Sequence, residues 1–232
     1  MKKIFTSIVV ALCAMSVNAQ ETIAVDAADN YTDGQVLKSE NCTVTLGNDG
    51  GTWTAKPNNV GNFTAYVSGS NSPKDADGAG YKAENKNVPT AGTYYVVQAS
   101  KNGTVVLGMV LNANKSFYIA GPDGSSIPSS DFVIKDKDGN EVTLSTDNKA
   151  SEKVYGTVEF KVAANQPYTV FCAGSKLGFY GVEFTPSGES AIANISADKA
   201  NENAPVYNLN GQKVSKDYKG VVVKNGKKYV QK

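Results

Sequence analysis

Hydrophobic and polar side chains alternate with a period of two along residues 156–186, which is the spacing of a β-strand with one buried face. The apolar positions of the first two strands in this stretch are Val158, Phe160, Val162, Tyr168, Val170 and Cys172. After a break at residues 174–176, a third strand is expected from Gly178 to Thr185. Three strands in series with short turns predict an antiparallel meander.

An earlier stretch, residues 103–120, repeats this pattern when it is aligned without gaps to residues 156–173. The apolar residues keep their phase, so that Val105 and Leu107 fall opposite Val158 and Phe160. The match reflects either a repeated hairpin or the turn and strand chemistry that any two β-hairpins share. In both cases, one strip of side chains is expected to face a common core.

Shorter strand patterns occupy much of the remaining chain up to Pro186, and glycine-containing turns such as Asp33-Gly34 separate them. These strands are expected at residues 22–25, 35–38, 42–46, 92–99, 132–135 and 141–144. Helical periodicity is not evident outside the N-terminal apolar run. Residues 20–186 are therefore predicted to form an all-β domain, an antiparallel β-sandwich of the jelly-roll type.

The N-terminus has the pattern of a secretory signal peptide. Lys2 and Lys3 precede an apolar run at residues 4–17, and small residues follow up to Ala19. We expect residues 1–19 to be removed by cleavage near Ala19. The rest of the chain has no stretch apolar enough to predict a transmembrane segment.

The C-terminal part differs from the sandwich in composition. Residues 187–203 are rich in Ser, Ala and Asn, as in a linker. Residues 204–232 are expected to form a small β-hairpin unit, with Asn-Gly turns at residues 210–211 and 225–226. Residues 199–232 hold eight lysines against two acidic residues, so this unit is basic.

The charged residues restrict the chemistry available to the chain. Lys and Arg together number 23 against 22 acidic residues, and all 23 are lysine. There is no histidine, which excludes imidazole bases, imidazole metal ligands and Ser-His-Asp or Cys-His catalysis. Carboxylate pairs or a Lys/Tyr base would still permit catalysis. We expect a protein that is not an enzyme and has no nucleic-acid partner.

Two cysteines, Cys42 and Cys172, lie in the apolar phase of their strands. An exported protein can form disulfides, and this bridge would close a loop of 130 residues. Such a bridge would stabilise the fold by roughly 4 to 5 kcal/mol. Two separately buried thiols are the alternative, and the sequence leaves both open.

Side chains with carboxylate or amide oxygens alternate at Asp136, Asp138 and Asn140, as they do in calcium loops. An EF-hand loop needs Gly at its sixth position and Glu at its twelfth, whereas Glu141 and Asp147 stand there. A plain hairpin turn is the better interpretation. No cofactor is expected, although a structural calcium held by distant carboxylates stays open.

Several aromatic residues fall outside the apolar phase or in polar surroundings. A flat ring can stack on the apolar face of a sugar while nearby polar groups bind its hydroxyls. Packing under a loop or at a sheet edge is the alternative for each ring. The candidate ligand-binding residues are Trp53, Tyr66, Tyr81, Tyr118 and Phe179.

The C-terminus resembles the sorting signal of proteins exported by the type IX secretion system of certain Gram-negative bacteria. The matching segments are YNLNGQKV at residues 207–214, KG at residues 219–220 and NGKKYVQK at residues 225–232. The resemblance implies that the secretion apparatus binds this unit at the outer membrane, and that the unit is often removed on release or surface attachment. A small hairpin that caps the sandwich is the alternative.

Residues 92–186, particularly GSKLGFYGVEFTP at residues 174–186, resemble β-sandwich accessory modules of secreted polysaccharide-active proteins. This resemblance implies carbohydrate binding, but it transfers no set of ligand residues. Together these features predict a secreted or surface-exposed, non-catalytic glycan-binding module whose partner is a polysaccharide or surface glycan. The alternatives are a polysaccharide lyase or glycosidase and a structural surface protein or adhesin.

Overall fold

The structure is a computed structural model that describes residues 19–74, 81, 85–187, 206–208, 212–215, 218–224 and 227–231. These residues belong to two compact units, one within residues 1–188 and the other within residues 189–232. The predicted signal peptide, apart from Ala19, lies outside the described residues, as does the predicted linker apart from Ser187.

The described part of the first unit contains twelve strands that are short, as expected where turn residues recur every few positions. They are β1 (Glu21–Ala24), β2 (Val36–Lys38), β3 (Cys42–Leu46), β4 (Thr54–Val60), β5 (Phe63–Ser68), β6 (Tyr95–Ala99), β7 (Gly103–Leu111), β8 (Ser116–Ala120), β9 (Phe132–Asp136), β10 (Val154–Val162), β11 (Pro167–Ala173) and β12 (Gly178–Pro186). One turn of 3-10 helix at Ser129–Asp131 precedes β9. No helix in the described part of the chain has the length and apolar character needed to cross a membrane.

Two antiparallel sheets form the first unit. The seven-stranded sheet has the order β4-β5-β12-β7-β10-β9, with β1 also paired to β12, and the five-stranded sheet has the order β2-β3-β6-β11-β8. One hydrophobic cluster contains residues from the strands of both sheets. The predicted all-β sandwich is therefore confirmed, while its jelly-roll type stays a prediction.

The predicted meander is wrong, because successive strands alternate between the two sheets. β10 pairs with β7 and β9, β11 pairs with β6 and β8, and β12 pairs with β7. Residues 112–115, 163–166 and 174–177 connect the sheets, and each connection contains one residue with positive φ: Asn114, Asn165 or Gly174. Inward-facing apolar residues are required equally by a hairpin and by strands in facing sheets, so the alternation could not distinguish the two arrangements.

The repeated stretches identified in the sequence pair with each other. β7 lies against β10 in the seven-stranded sheet, and β8 lies against β11 in the five-stranded sheet. Leu107 and Val158 are direct partners in this register. Each repeat therefore contributes one strand to each layer, and both place an apolar strip in the core between the layers.

Tyr95 connects the two sheets in the core. Its side chain is fully buried on β6, its ring stacks on Phe179 with 4.8 Å between centroids, and the edge contact to Trp53 measures 6.1 Å. The Tyr95 hydroxyl donates a hydrogen bond of 2.8 Å to the carbonyl oxygen of Leu177, just before β12. The largest fully buried side chains are Tyr95, Tyr180, Phe117, Phe160, Phe171, Phe179, Phe184, Leu46, Leu107, Met109, Leu111 and Ile119.

The expectation that Phe179 presents its ring to solvent is wrong. A register shift between Phe179 and Gly181 forms a bulge in β12, and Gly181 has φ of 147°. The bulge reverses the parity of the strand, so that Phe179 and Val182 both contribute to the core cluster. Tyr180, which the alternation placed inside, packs instead in a second cluster.

The two cysteines are free and buried. Both belong to the five-stranded sheet, where Cys42 pairs with Ala99 on β6 and Cys172 pairs with Phe117 on β8. Pro167 pairs with Gln98, so Cys172 lies six residues along β11 from the level of Cys42, or roughly 20 Å. A disulfide needs Cα atoms within about 7 Å, so the candidate bridge is contradicted and the alternative of two separately buried thiols is confirmed.

Residues 136–140 form the expected turn, but no strand follows at residues 141–144. The Asp136 carboxylate accepts hydrogen bonds of 2.9 Å from the backbone amides of Asp138 and Asn140. The described residues contain no cluster of three or more His, Cys, Asp or Glu side chains placed to bind a metal ion. In this turn, the Asp136 carboxylate satisfies backbone amides, which is a sufficient reason for its position.

The second unit is a four-stranded antiparallel sheet in the order β14-β13-β15-β16. Its strands are β13 (Val206–Asn208), β14 (Lys213–Val214), β15 (Gly220–Lys224) and β16 (Lys227–Gln231). β13 pairs with β14 and β15 pairs with β16, as the two predicted hairpins require. The Asn-Gly turns themselves lie outside the described residues.

We predict that Phe179→Ala lowers the free energy of unfolding by about 3 to 5 kcal/mol, because it leaves a cavity in the core beside Tyr95. Urea unfolding followed by tryptophan fluorescence measures the change. Val133→Ala, whose side chain is 40% exposed on β9, is the control and should cost under about 1 kcal/mol. A cost for Phe179→Ala as small as that of the control would contradict the buried position.

We predict that Cys42 and Cys172 resist alkylation in the native protein and react fully after unfolding in guanidinium. Burial raises the pKa of each thiol to about 12, so little thiolate exists at neutral pH. Mass spectrometry of tryptic peptides after iodoacetamide treatment would follow each cysteine separately. A peptide pair joined through Cys42 and Cys172 in unreduced protein would contradict this arrangement.

Candidate functional site

A groove of about 330 Å³ lies on the outer face of the seven-stranded sheet. It is formed where β5 and β7 end and where β4, β10 and β12 begin. We call it the Tyr66 groove. Its lining residues are Thr52, Thr54, Lys56, Tyr66, Ser68, Gly69, Ser70, Val110, Asn112, Lys153, Lys176 and Gly178.

Tyr66 provides the aromatic surface of the groove. Its side chain is half-buried on β5, and a Cβ atom added at Gly178 would lie 3.0 Å from its ring and 2.8 Å from Val110. Real Cβ atoms are hardly ever found so close to another atom, so glycine at position 178 lets the ring lie next to the backbone of β12. Tyr66 therefore lies along the floor of the groove rather than projecting from it.

A second hydrophobic cluster supports the Tyr66 ring. Its buried members are Val60, Phe63, Val110 and Tyr180, with Tyr66 and Tyr155 packed against them. The rings of Tyr66 and Tyr180 have centroids 5.3 Å apart, and the Tyr180 hydroxyl donates a 2.7 Å hydrogen bond to Asn58 Oδ1. Burial raises the pKa of Tyr180, so its phenol stays neutral and remains a donor.

Among the described residues that line the groove, three are lysines and none is acidic. Lys56 on β4 is the register partner of Tyr66, and Lys153 Nζ lies 4.8 Å from the ring centroid of Tyr155. Lys176 lies in the connection between β11 and β12. Among the described residues, none of these three lysines has a carboxylate within 4.0 Å.

A buried carboxylate, Asp49, holds the loop that forms one wall of the groove. Its side chain accepts hydrogen bonds from the backbone amides of Ser70 and Asn71, from the Ser70 hydroxyl and from Thr93 Oγ1. Burial by itself raises the pKa of Asp49, but these hydrogen bonds outweigh it and hold the pKa below the ordinary value of 3.8. Ser70 and Gly69 are thereby fixed at the groove edge.

The predicted ligand-binding residues fall into three different environments. Only Tyr66 lines the Tyr66 groove. Trp53 is only 7% exposed, and its indole nitrogen donates a 2.7 Å hydrogen bond to Asp33 Oδ1. Trp53 and the fully buried Phe179 therefore both belong to the hydrophobic core. The core encloses the rings of both Trp53 and Phe179, which matches the packing alternative and contradicts a ligand-binding role for either ring.

Tyr81 and Tyr118 come together on the outer face of the five-stranded sheet. Their ring centroids are 4.6 Å apart, and both rings contact Phe171 on β11. The Tyr81 hydroxyl also lies 3.2 Å from the carbonyl oxygen of Gly124, to which it donates a hydrogen bond. Both rings are half-buried, and together they cover Phe171. This contact matches the packing alternative.

A second cavity, of about 670 Å³, is lined by several carboxyl groups. Asp123, Asp131 and Glu159 line it together with Lys161. Asp123 is bonded to Lys86 Nζ at 2.9 Å and to Ser125. These bonds, the one from Lys86 first, hold the pKa of Asp123 well below its usual range, so it stays ionised and is unsuited to donate a proton.

The groove lysines and Asn112 were not predicted from the sequence. Asn112 Nδ2 donates a 2.8 Å hydrogen bond to Ser175 Oγ, which ties the connection that carries Lys176 to the end of β7. The signal in the sequence is that Lys56 stands in the polar phase of its strand. The structure shows in addition that Lys56 pairs with Tyr66 on the neighbouring strand. Their proximity depends on strand order, which alternation does not specify.

We predict that Asp49→Asn lowers the free energy of unfolding by roughly 2 kcal/mol at pH 7, because an amide nitrogen replaces an oxygen that accepts hydrogen bonds. Since the folded pKa of Asp49 is lowered, its stabilisation is present above about pH 4 and is lost as the pH falls through the folded pKa. The difference between wild type and variant should therefore shrink at pH 3. Urea unfolding at both pH values tests this.

The matched control for this prediction is Asp29→Asn, which removes one negative charge at an exposed position. It should change stability by less than about 0.5 kcal/mol at either pH. If Asp49→Asn behaves like Asp29→Asn at pH 7, the Asp49 carboxylate does not hold the loop.

A scan against protein-family models finds no match to the chain. A search of curated proteins likewise finds no matching sequence. Functional conclusions for this chain therefore depend on the geometry and chemistry of its grooves.

Proposed function

We propose that the protein is a non-catalytic glycan-binding module and that the Tyr66 groove is its binding site. The observation that carries this proposal is an aromatic ring fixed along the floor of an outer-face groove whose walls are hydroxyl, amide and ammonium groups. A sugar ring has apolar C–H faces and a hydroxyl edge, so it matches both parts of such a surface.

Different strands and connections contribute hydrogen-bonding groups to the walls of the groove. Thr54 and Ser68 are register partners on β4 and β5, and Asn112 and Ser70 lie on other walls. Hydroxyl groups both donate and accept hydrogen bonds, and an amide does the same through two different atoms. These groups can satisfy the hydroxyls of a saccharide in several orientations.

Binding without catalysis agrees with the groups that the groove contains. Glycoside hydrolysis uses two carboxyl groups, and none is present in the part of the Tyr66 groove that the structure describes. This composition favours a binding module over a glycosidase that acts in the Tyr66 groove. The lyase alternative, which would use a Lys/Tyr base, is tested by an assay for unsaturated products from a polysaccharide.

We also propose that the protein is exported and acts outside the cell or at its surface, using the C-terminal β unit as a type IX sorting signal. This rests on the resemblance of residues 207–214, 219–220 and 225–232 to that signal. The antiparallel pairing of β13 with β14 and β15 with β16 agrees with a compact unit that another protein could bind. The partners proposed are thus a polysaccharide and the secretion apparatus.

We predict that Tyr66→Ala weakens saccharide binding by at least tenfold in Kd, or about 1.4 kcal/mol, because the stacking surface is lost. The purified chain is screened on a glycan array, and the best ligands are then titrated by calorimetry. Tyr118→Ala is the matched control, since it removes another half-buried tyrosine away from the groove and should leave Kd unchanged. Circular dichroism confirms that both variants are folded.

Three results would contradict the proposal. Equal loss of affinity in both variants would show that the groove is not the site. Failure of the parent chain to bind any saccharide would favour a structural or adhesive role. Release of reducing ends or unsaturated products from a polysaccharide would show that the protein is an enzyme.

A further inference from the structure

We infer that the Tyr66 groove selects acidic polysaccharides, whose chains carry carboxylate or sulfate groups, over neutral ones. This inference rests on the proposed function. It is carried by three exposed lysines around one aromatic floor, in a lining whose described residues include no carboxylate. Opposite charges at an interface increase association rates and specificity.

The described lining of the groove is more positive than the chain as a whole, which has a formal charge of only +1 at pH 7. Within the described residues, Lys56, Lys153 and Lys176 have no carboxylate within 4.0 Å, unlike Lys86 and Lys137. Lys153 also lines a neighbouring cavity that contains acidic side chains: Asp136, Asp138, Glu141 and Glu152.

The three lysines are held by different parts of the sheet. Lys56 lies on β4, opposite Tyr66, and Lys153 is placed over the Tyr155 ring just before β10 begins. Lys176 belongs to a connection that Asn112 fastens through Ser175. The three ammonium groups therefore come from separate segments of the chain, and different anionic groups of one ligand can each contact one of them.

The curvature of the sheet brings two of the groove lysines to the same site. β4 and β10 are four steps apart in the strand order, yet Cα atoms of the two strands approach within 8 Å of each other. Lys56 and Lys153, which both line the groove, can therefore contact the same ligand.

The residue types favour dispersed anions on a hydroxyl-rich chain over a single phosphate. Lysine ammonium groups are compact, mobile point charges, whereas planar recognition of phosphate generally uses the arginine fork. The chain has no arginine. Hydroxyl groups at Thr54, Ser68 and Ser70 supply partners for a saccharide between its charged groups.

Calorimetric titration of the purified chain tests this selectivity with four polymers: polygalacturonate, chondroitin sulfate, dextran and single-stranded oligodeoxynucleotide. Affinity should be at least tenfold higher for one of the two acidic polysaccharides than for dextran. Raising NaCl from 50 to 500 mM should weaken that binding by roughly tenfold, because the exposed charges become screened.

Lysine substitutions connect the affinity to the groove. Lys56→Gln, Lys153→Gln and Lys176→Gln should each weaken acidic-polymer binding by roughly two- to fivefold, and the triple variant by more than tenfold. The matched control combines Lys38→Gln, Lys101→Gln and Lys135→Gln, which removes the same charge at exposed positions outside the groove. The control should bind with the affinity of the parent chain.

The outcomes separate this inference from the proposed function. Dextran binding that Tyr66→Ala abolishes and the triple groove variant leaves intact would overturn acidic selectivity while supporting glycan binding. Equal losses in the groove and control variants would overturn the assignment to these lysines. Tighter binding of the oligodeoxynucleotide than of either acidic polysaccharide would overturn the ligand class, and failure to bind any of the three polysaccharides would overturn both proposals.

Discussion

The buried hydroxyl of Tyr95 is the constraint on which both the sandwich and the groove depend. A phenol that is enclosed by the core needs a hydrogen-bond partner. The Tyr95 hydroxyl donates a 2.8 Å hydrogen bond to the carbonyl oxygen of Leu177, and the carbonyl oxygen of Val67 lies 3.3 Å away. Burial raises its pKa well above the ordinary value, so it remains a donor at physiological pH. Leu177 precedes Gly178 and Val67 follows Tyr66. The same contact therefore positions both groove strands from the core side.

On the opposite side of these strands, glycine residues allow aromatic rings to pack against the backbone. A Cβ atom at Gly108 would lie 2.7 Å from Tyr180 Cβ and 2.8 Å from the Phe63 ring. Gly108 pairs with Gly181 across β7 and β12. Gly108 thus provides space for Tyr180, and Gly181 does so for Phe63 and for the backbone of β1. Tyr180 in turn packs against Tyr66. The seven-stranded sheet is thus covered by side chains on both faces near the groove, which explains why Val110 is buried.

The period of two in the sequence was sufficient to predict most strands and the sandwich, because inward apolar residues are required in any two-layer β fold. It was insufficient for Phe179 and Tyr180, since one bulge at Gly181 exchanges the faces of a strand. It also could not separate hairpins from connections between sheets, because four-residue segments such as 163–166 serve either purpose. Of the proposed aromatic platforms, Tyr66 alone lies in the groove. Its lysine neighbours are distant in sequence and meet only through the strand order.

The lysines lie on the rim of the groove and the packed residues form its floor, so substitutions at the two places have different effects. Lys56, Lys153 and Lys176 are exposed, so their replacement alters the charge that a ligand meets without creating a cavity. Gly178 and Tyr180 are enclosed by neighbours, so replacements there disturb packing throughout this end of the sheet. Related proteins could thus diverge in ligand preference through rim substitutions while inheriting one unchanged aromatic floor.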